Sequence, residues 1–205
     1  MYRNWVGAPI SSPSMGLTDD ELMQEACRLA EESAVHDWGG PFGAVIATAD
    51  GEIVARGQNR VLITGDITAH AEVEAIRTAV AVLNTEAPTI PPGRRHLSTL
   101  ELIPRPEGSD DPVPHRAKML TGLRIFSSGA PCPMCMAAIY WARLDAVYFA
   151  NDLEATRSIG FDDAFQYEDF NRPLEERRIP VRHFRPDLGE ASYAAWMAKD
   201  DRHPY

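Results

Sequence analysis

The chain has 205 residues, 44% hydrophobic and 24% charged, the proportions of an ordinary globular protein with enough length for one sizeable core. No apolar run is long enough to span a membrane and no apolar leader opens the chain, so a soluble, cytoplasmic protein is expected. A formal net charge of −10 disfavours a polyanionic partner such as tRNA or DNA and favours a small substrate.

Residues 1–16 have no periodicity and read as a mobile N-terminal arm; residues 17–205 are expected to form a single domain. Thr18 and Glu21 form a capping-box pattern, and Leu22, Met23, Ala26, Leu29 and Ala30 recur at helical spacing, which predicts a helix to about His36. Gly39-Gly40-Pro41-Phe42-Gly43 breaks it. Residues 44–49 read as a buried strand, Asp50-Gly51 as a hairpin turn and 52–57 as the partner strand. A strongly apolar helix is expected over about 69–83. Residues 84–120 hold seven of the sixteen prolines and little periodicity, so they read as an insertion without a core of its own. Strands are then expected at 123–128, 146–150 and 180–184, and helices at 134–143 and 188–199. This alternation predicts an α/β protein, with helices on both faces of a mixed, mainly parallel five-stranded sheet.

Two short motifs carry the chemistry: His70-Ala71-Glu72, and Pro131-Cys132-Pro133-Met134-Cys135 about sixty positions later. One imidazole and two thiolates suit a zinc ion, and three protein ligands leave its fourth position to water. Cys132 and Cys135 are three residues apart, so at the start of a helix their sulfurs share one face. A helix N-terminus also favours the thiolate form. Glu72 is poorly placed as a fourth ligand and better placed to take a proton from a water and return it to a leaving amine. The competing reading is a structural zinc site, but no second cysteine or histidine pair stands by to close the coordination. Two metal-assigned cysteines out of three argue against disulfides and for a reducing compartment; Cys27 reads as a small buried residue.

His-x-Glu followed by Pro-Cys-x-x-Cys is the signature of the zinc nucleobase deaminases. The chain is similar to the guanine deaminase branch of that cytidine-deaminase-like superfamily. The likeness rests on 39–46, Gly57-Gln58-Asn59, 68–72, 131–135, 138–143, Gly160-Phe161-Asp162-Asp163, and Pro173 with Glu175-Glu176-Arg177. It implies a three-layer α/β/α fold, one zinc ion per chain on His70, Cys132 and Cys135, and hydrolysis of a free purine base with Glu72 as proton shuttle. It further implies that Asp163 contacts substrate and takes part in proton transfer, and that Asn59 hydrogen-bonds the purine. Phe42, Ala71 and Trp141 are expected around the base and Tyr205 as a cap over it. A homodimer is implied, in some members with an exchanged C-terminal segment.

Each assignment has a plainer competitor. Asn59 could simply form a turn, Asp163 could cap a helix, and Phe42 and Trp141 could be packing residues. The chain also departs from the family at Ala130, where a glutamate is usual, and in the 84–120 insertion. Either could redirect the enzyme to a related ring such as ammeline, a pterin or guanosine. The remaining alternatives are a tRNA adenosine deaminase, whose basic face is missing, and a non-catalytic zinc-stabilised binding protein.

Overall fold

The computed structural model describes residues 16–83, 119–200 and 202. The expected arm, apart from Gly16, the insertion, apart from Met119 and Leu120, and Tyr205 lie outside the described residues. Thr18 caps helix α1, Asp19–Val35: the Glu21 amide donates to its hydroxyl at 3.3 Å, and the Thr18 amide donates to the Glu21 carboxylate at 2.8 Å. Two orphan amide donors are thereby satisfied, which is why the helix begins there. Strands β1, Gly43–Thr48, and β2, Ile53–Gln58, form the expected hairpin. Gly51 takes a φ of 88° at its turn, a conformation open to glycine without strain.

A short helix α2, Val61–Thr64, precedes α3, Ala71–Leu83. Beyond the insertion come β3, Leu123–Gly129, α4, Pro133–Ala142, and β4, Ala146–Asn151. Helices α5, Leu153–Ser158, and α6, Ala164–Phe170, follow, then a 3₁₀ turn at Leu174–Glu176 and helix α7, Pro186–Met197.

The sheet order is β2-β1-β3-β4. β1 is antiparallel to both neighbours and β3 is parallel to β4. Three of these four strands therefore point the same way, with β1 reversed between two of them. The fifth strand expected at 180–184 is not formed; its single ladder-like bond is from the Val181 amide to the Leu174 carbonyl. β-branched and aromatic residues there supplied strand propensity, but among the described residues no strand lies beside it to pair with.

Alternate residues of β1 face opposite layers. Val45 and Ala47 pack with Leu22, Ala26 and Leu29 of α1 and with Phe126. Ala44 and Ile46 pack with Ala71, Ala75 and Ala79 of α3 and with Ile139 and Ala142 of α4. Fully burying each large side chain in these layers contributes about 1.5–3 kcal/mol. Gly57 explains how close α3 lies to the sheet, since a Cβ there would come within 2.1 Å of the Ala71 carbonyl oxygen. That contact seats the start of α3 against the end of β2. Because β2 and β3 run in the same direction, their C-terminal ends deliver Asn59 and the Cys132 loop to one end of the sheet.

Candidate active site

The segment before α3 is fixed by short-range hydrogen bonds. The Asp66 carboxylate accepts from the Thr68 amide at 2.8 Å and hydroxyl at 2.6 Å, and the His70 amide donates to the Thr68 carbonyl at 2.8 Å. His70 is thus held at the mouth of α3, with Glu72 in its first turn. Opposite, Cys132 is the N-cap of α4, Pro133 occupies its first turn and Cys135 follows one turn in. Proline suits that position because its missing amide would have had no helical partner.

The Nδ1 of His70 lies 3.5 Å from Cys135 Sγ and 3.7 Å from Cys132 Sγ. All three ligand atoms lie within 4.8 Å of one another. A tetrahedral zinc with bonds of about 2.0–2.3 Å would space its ligand atoms by roughly 3.5–3.8 Å, so the donor set fits the ion in type and in spacing. Without a metal the cluster holds protons instead. Cys132 is held down to about 4, first by the hydrogen bond from Cys135 and then by His70, while Cys135 is pushed up by the neighbouring Cys132 sulfur and by burial. The hydrogen bond with Cys132 also raises His70. A dication between the sulfurs would favour both as thiolates and the histidine as neutral.

Glu72 is 5% exposed, and burial pushes its carboxyl up from the usual range. Ser127 Oγ donates to one carboxylate oxygen at 3.2 Å, and the other lies 3.4 Å from Cys135 Sγ. The carboxylate is therefore oriented from β3, beside the ligand triangle but outside it.

Asp163 precedes α6 and makes no side-chain cap, so the helix-cap reading of that residue does not hold. Its carboxylate accepts from the side-chain Nε2 of Gln166 at 3.2 Å and is raised first by burial and next by the charge of Cys132. Asn59 is buried at the end of β2. Its Oδ1 accepts from the Val61 amide at 3.2 Å, which makes the turn into α2 that its plainer reading anticipates. Phe42 meets Phe161 edge to face, with ring centroids 5.0 Å apart, and a Cβ on Gly129 would lie 3.3 Å from its ring. Ala71 is fully buried between His70 and Glu72.

Trp141 sits in the last turn of α4, 61% exposed and about 9 Å along the helix from Cys135 at 1.5 Å per residue. Sequence reasoning missed Ser127, Phe161 and Tyr167. Tyr167 is half-buried, and its hydroxyl donates to the Pro131 carbonyl at 2.7 Å. Its position four residues after Asp163 was the available signal.

A three-layer fold with a His-Cys-Cys triangle and an adjacent buried carboxylate defines a zinc-dependent aminohydrolase. Residues 17–151 match the cytidine and deoxycytidylate deaminase zinc-binding region, and the chain belongs to that family. Within the family it is 38% identical to the guanine deaminase of Bacillus subtilis over 180 residues, covering 88% of this chain and 94% of that protein. The crystal structure of a Bacillus subtilis guanine deaminase matches with a TM-score of 0.73 at 34% identity, covering 92% of this chain and 99% of the other. A tRNA-specific adenosine deaminase of Agrobacterium fabrum is 30% identical over 109 residues, 53% of this chain and 50% of that protein. The cofactor is zinc, and His70, Cys132 and Cys135 are the residues that fit it.

Proposed function

We propose that the protein hydrolyses guanine to xanthine and ammonia. The observation that carries the reaction class is the buried Glu72 carboxylate held beside an open three-ligand metal triangle. Zinc held there supplies Lewis acidity and brings the pKa of a water toward neutrality. Glu72 takes a proton from the attacking water, hands it to a ring nitrogen and returns a proton to the departing amine. One C–N bond breaks as one C–O bond forms, with no change of oxidation state.

Substrate choice rests on the residues around that centre. Asn59 Oδ1 accepts from the Val61 amide, which fixes the side chain and leaves Nδ2 as a donor for an acceptor such as the purine oxygen. Phe42 and Phe161 supply an apolar wall, and Ala71 keeps the floor small. Asp163, raised by its surroundings, faces the site as a second proton carrier. The similarity over most of the chain to guanine deaminase, against about half for the tRNA enzyme, supports a free base over a nucleic acid, as does the net charge of −10.

The same reading extends to assembly. The chain is one deaminase domain that works as a homodimer, and residues 173–205 pack on the second copy, with Tyr205 capping a site. What supports this is that α7 has no buried residue, while Phe184 is 85% and Tyr193 77% exposed. Trp141, exposed at the end of α4, then belongs to the covered surface of the dimer. Among the described residues no helix is long and apolar enough to cross a membrane. Thiolate ligands favour the reducing cytoplasm as the site of action.

The test is ammonia release by the zinc-loaded protein from guanine, guanosine, adenine, cytosine, a pterin and ammeline. Guanine is expected to be turned over fastest. Activity on another ring alone would move the substrate assignment to the consequences of Ala130 and the insertion, and silence throughout would end the deaminase reading.

A further inference from the structure

We infer that Tyr167 is a positioning residue: its phenol ties α6, and with it Asp163, to the loop that carries Cys132. The inference rests on the guanine deaminase reading and deepens it. Helix α6 has only seven residues and none of them is buried, so neither length nor hydrophobic burial can hold it at a defined distance from the metal triangle. Yet the proposed chemistry needs Asp163 at a defined place. Tyr167 lies one turn after Asp163, on the same side of α6. Its hydroxyl donates at 2.7 Å to the carbonyl of Pro131, the residue immediately before a metal ligand.

Both ends of this tie are suited to it. Pro131 is buried, and its carbonyl stands just outside α4, beyond the reach of that helix's own amides. Cys132, as N-cap, makes no side-chain cap bond that could anchor the loop instead. Tyrosine suits the other end because its ring is rigid and has only two rotatable bonds. A fixed phenol therefore defines a distance where a serine or lysine would not. The electrostatics agree with the placement: Tyr167 is raised first by burial and then by Cys132, Cys135, Asp163 and Glu72, so it looks onto the whole cluster. Nothing in the proton transfers requires the phenol itself. Its part is to keep one proton carrier in register with the other.

The test uses the zinc-loaded full chain and Tyr167→Phe, which removes one oxygen. Zinc content is expected to stay at one per chain. Amide exchange over residues 164–170 should speed up about tenfold, the consequence of losing one hydrogen bond, while residues 123–129 keep their protection. With guanine, kcat should fall about tenfold with KM changed less than twofold. That loss should vanish in an Asp163→Ala background, because a residue acting through Asp163 has nothing left to position. Unchanged exchange over 164–170, or an equal loss of kcat with Asp163 already removed, would overturn the inference. If the parent protein does not turn over guanine, the substrate reading falls, and the exchange measurement alone decides whether the tie exists.

Discussion

At the residue scale, His70, Cys132 and Cys135 converge because two helices begin at the same end of the sheet, and Glu72 sits in the first turn of the first of them. Removing its charge separates binding from chemistry. Glu72→Gln keeps the shape and the donation from Ser127, so the protein is expected to retain one zinc per chain. Turnover should fall by about 10³-fold, within the range for losing a general acid–base group. Metal analysis and a single-turnover assay on the same sample check both halves, and substantial residual turnover would remove Glu72 from the mechanism. Asp163→Ala addresses the second carboxylate. It makes no cap and lies outside the core, so the melting temperature should change by less than about 2 °C, as for other surface sites. Guanine turnover should nevertheless drop by about 10²-fold; an unchanged rate would make the residue structural.

At the element scale, one ion-pair cluster joins the first helix to the edge strand. Glu25 of α1 accepts from Arg28 at 2.7 Å and from Arg56 of β2 at 2.6 Å. These partners, Arg28 foremost, hold its carboxyl down to about 2 from 4.5. A folded-state pKa below the unfolded value contributes stability that is present above about pH 4.5 and lost as pH falls toward 2. Both arginines are half exposed, so solvent screening leaves about 1 kcal/mol of it. Glu25→Gln should cost about that much at pH 7 in urea unfolding and almost nothing at pH 2. An equal cost at both pH values would mean lost packing rather than lost charge.

Elements also differ in how much of them could be read beforehand. The Thr18–Glu21 box, the Asp50-Gly51 turn and the apolar face of α1 are local signals, and the structure keeps all three nearly to the residue. The metal triangle was legible for the same reason, since donor type and spacing are written in one short stretch each. Helices α2, α5 and α6 were not, because four to seven residues are too few to display a helical period. Residues 180–184 were misread because strand propensity reports a fit to a pleated neighbour, and among the described residues no strand lies beside them. Tyr167 escaped notice because its spacing of four from Asp163 has meaning only once 164–170 is known to be helical, and the 2.7 Å bond to Pro131 gives it a role.

At the scale of the whole molecule, the distribution of apolar surface argues for a second copy. β4 closes one edge of the sheet and leaves Phe149 half exposed; Tyr140 and Trp141 project from α4, and α7 presents Leu188, Tyr193 and Met197 to solvent. A twelve-residue helix with no buried residue is marginal in water, and a partner surface would stabilise it. An edge strand with no second partner among the described residues, and with aromatic neighbours, is likewise a site for association unless something covers it. In the proposed homodimer two-fold symmetry would satisfy both needs at once, each copy supplying one arm and receiving one. Light scattering of the zinc-loaded chain at micromolar concentration should therefore give twice the 22.7 kDa of a single chain. Truncation after Arg172 should lower the mass to that of one chain, and guanine turnover should fall because the site loses its cap. The zinc content should survive, since every ligand lies before the cut. A full chain that weighs as a monomer would instead require residues 173–200 to fold back onto their own body, and exposed residues such as Phe184 and Tyr193 would then need a partner within the same chain.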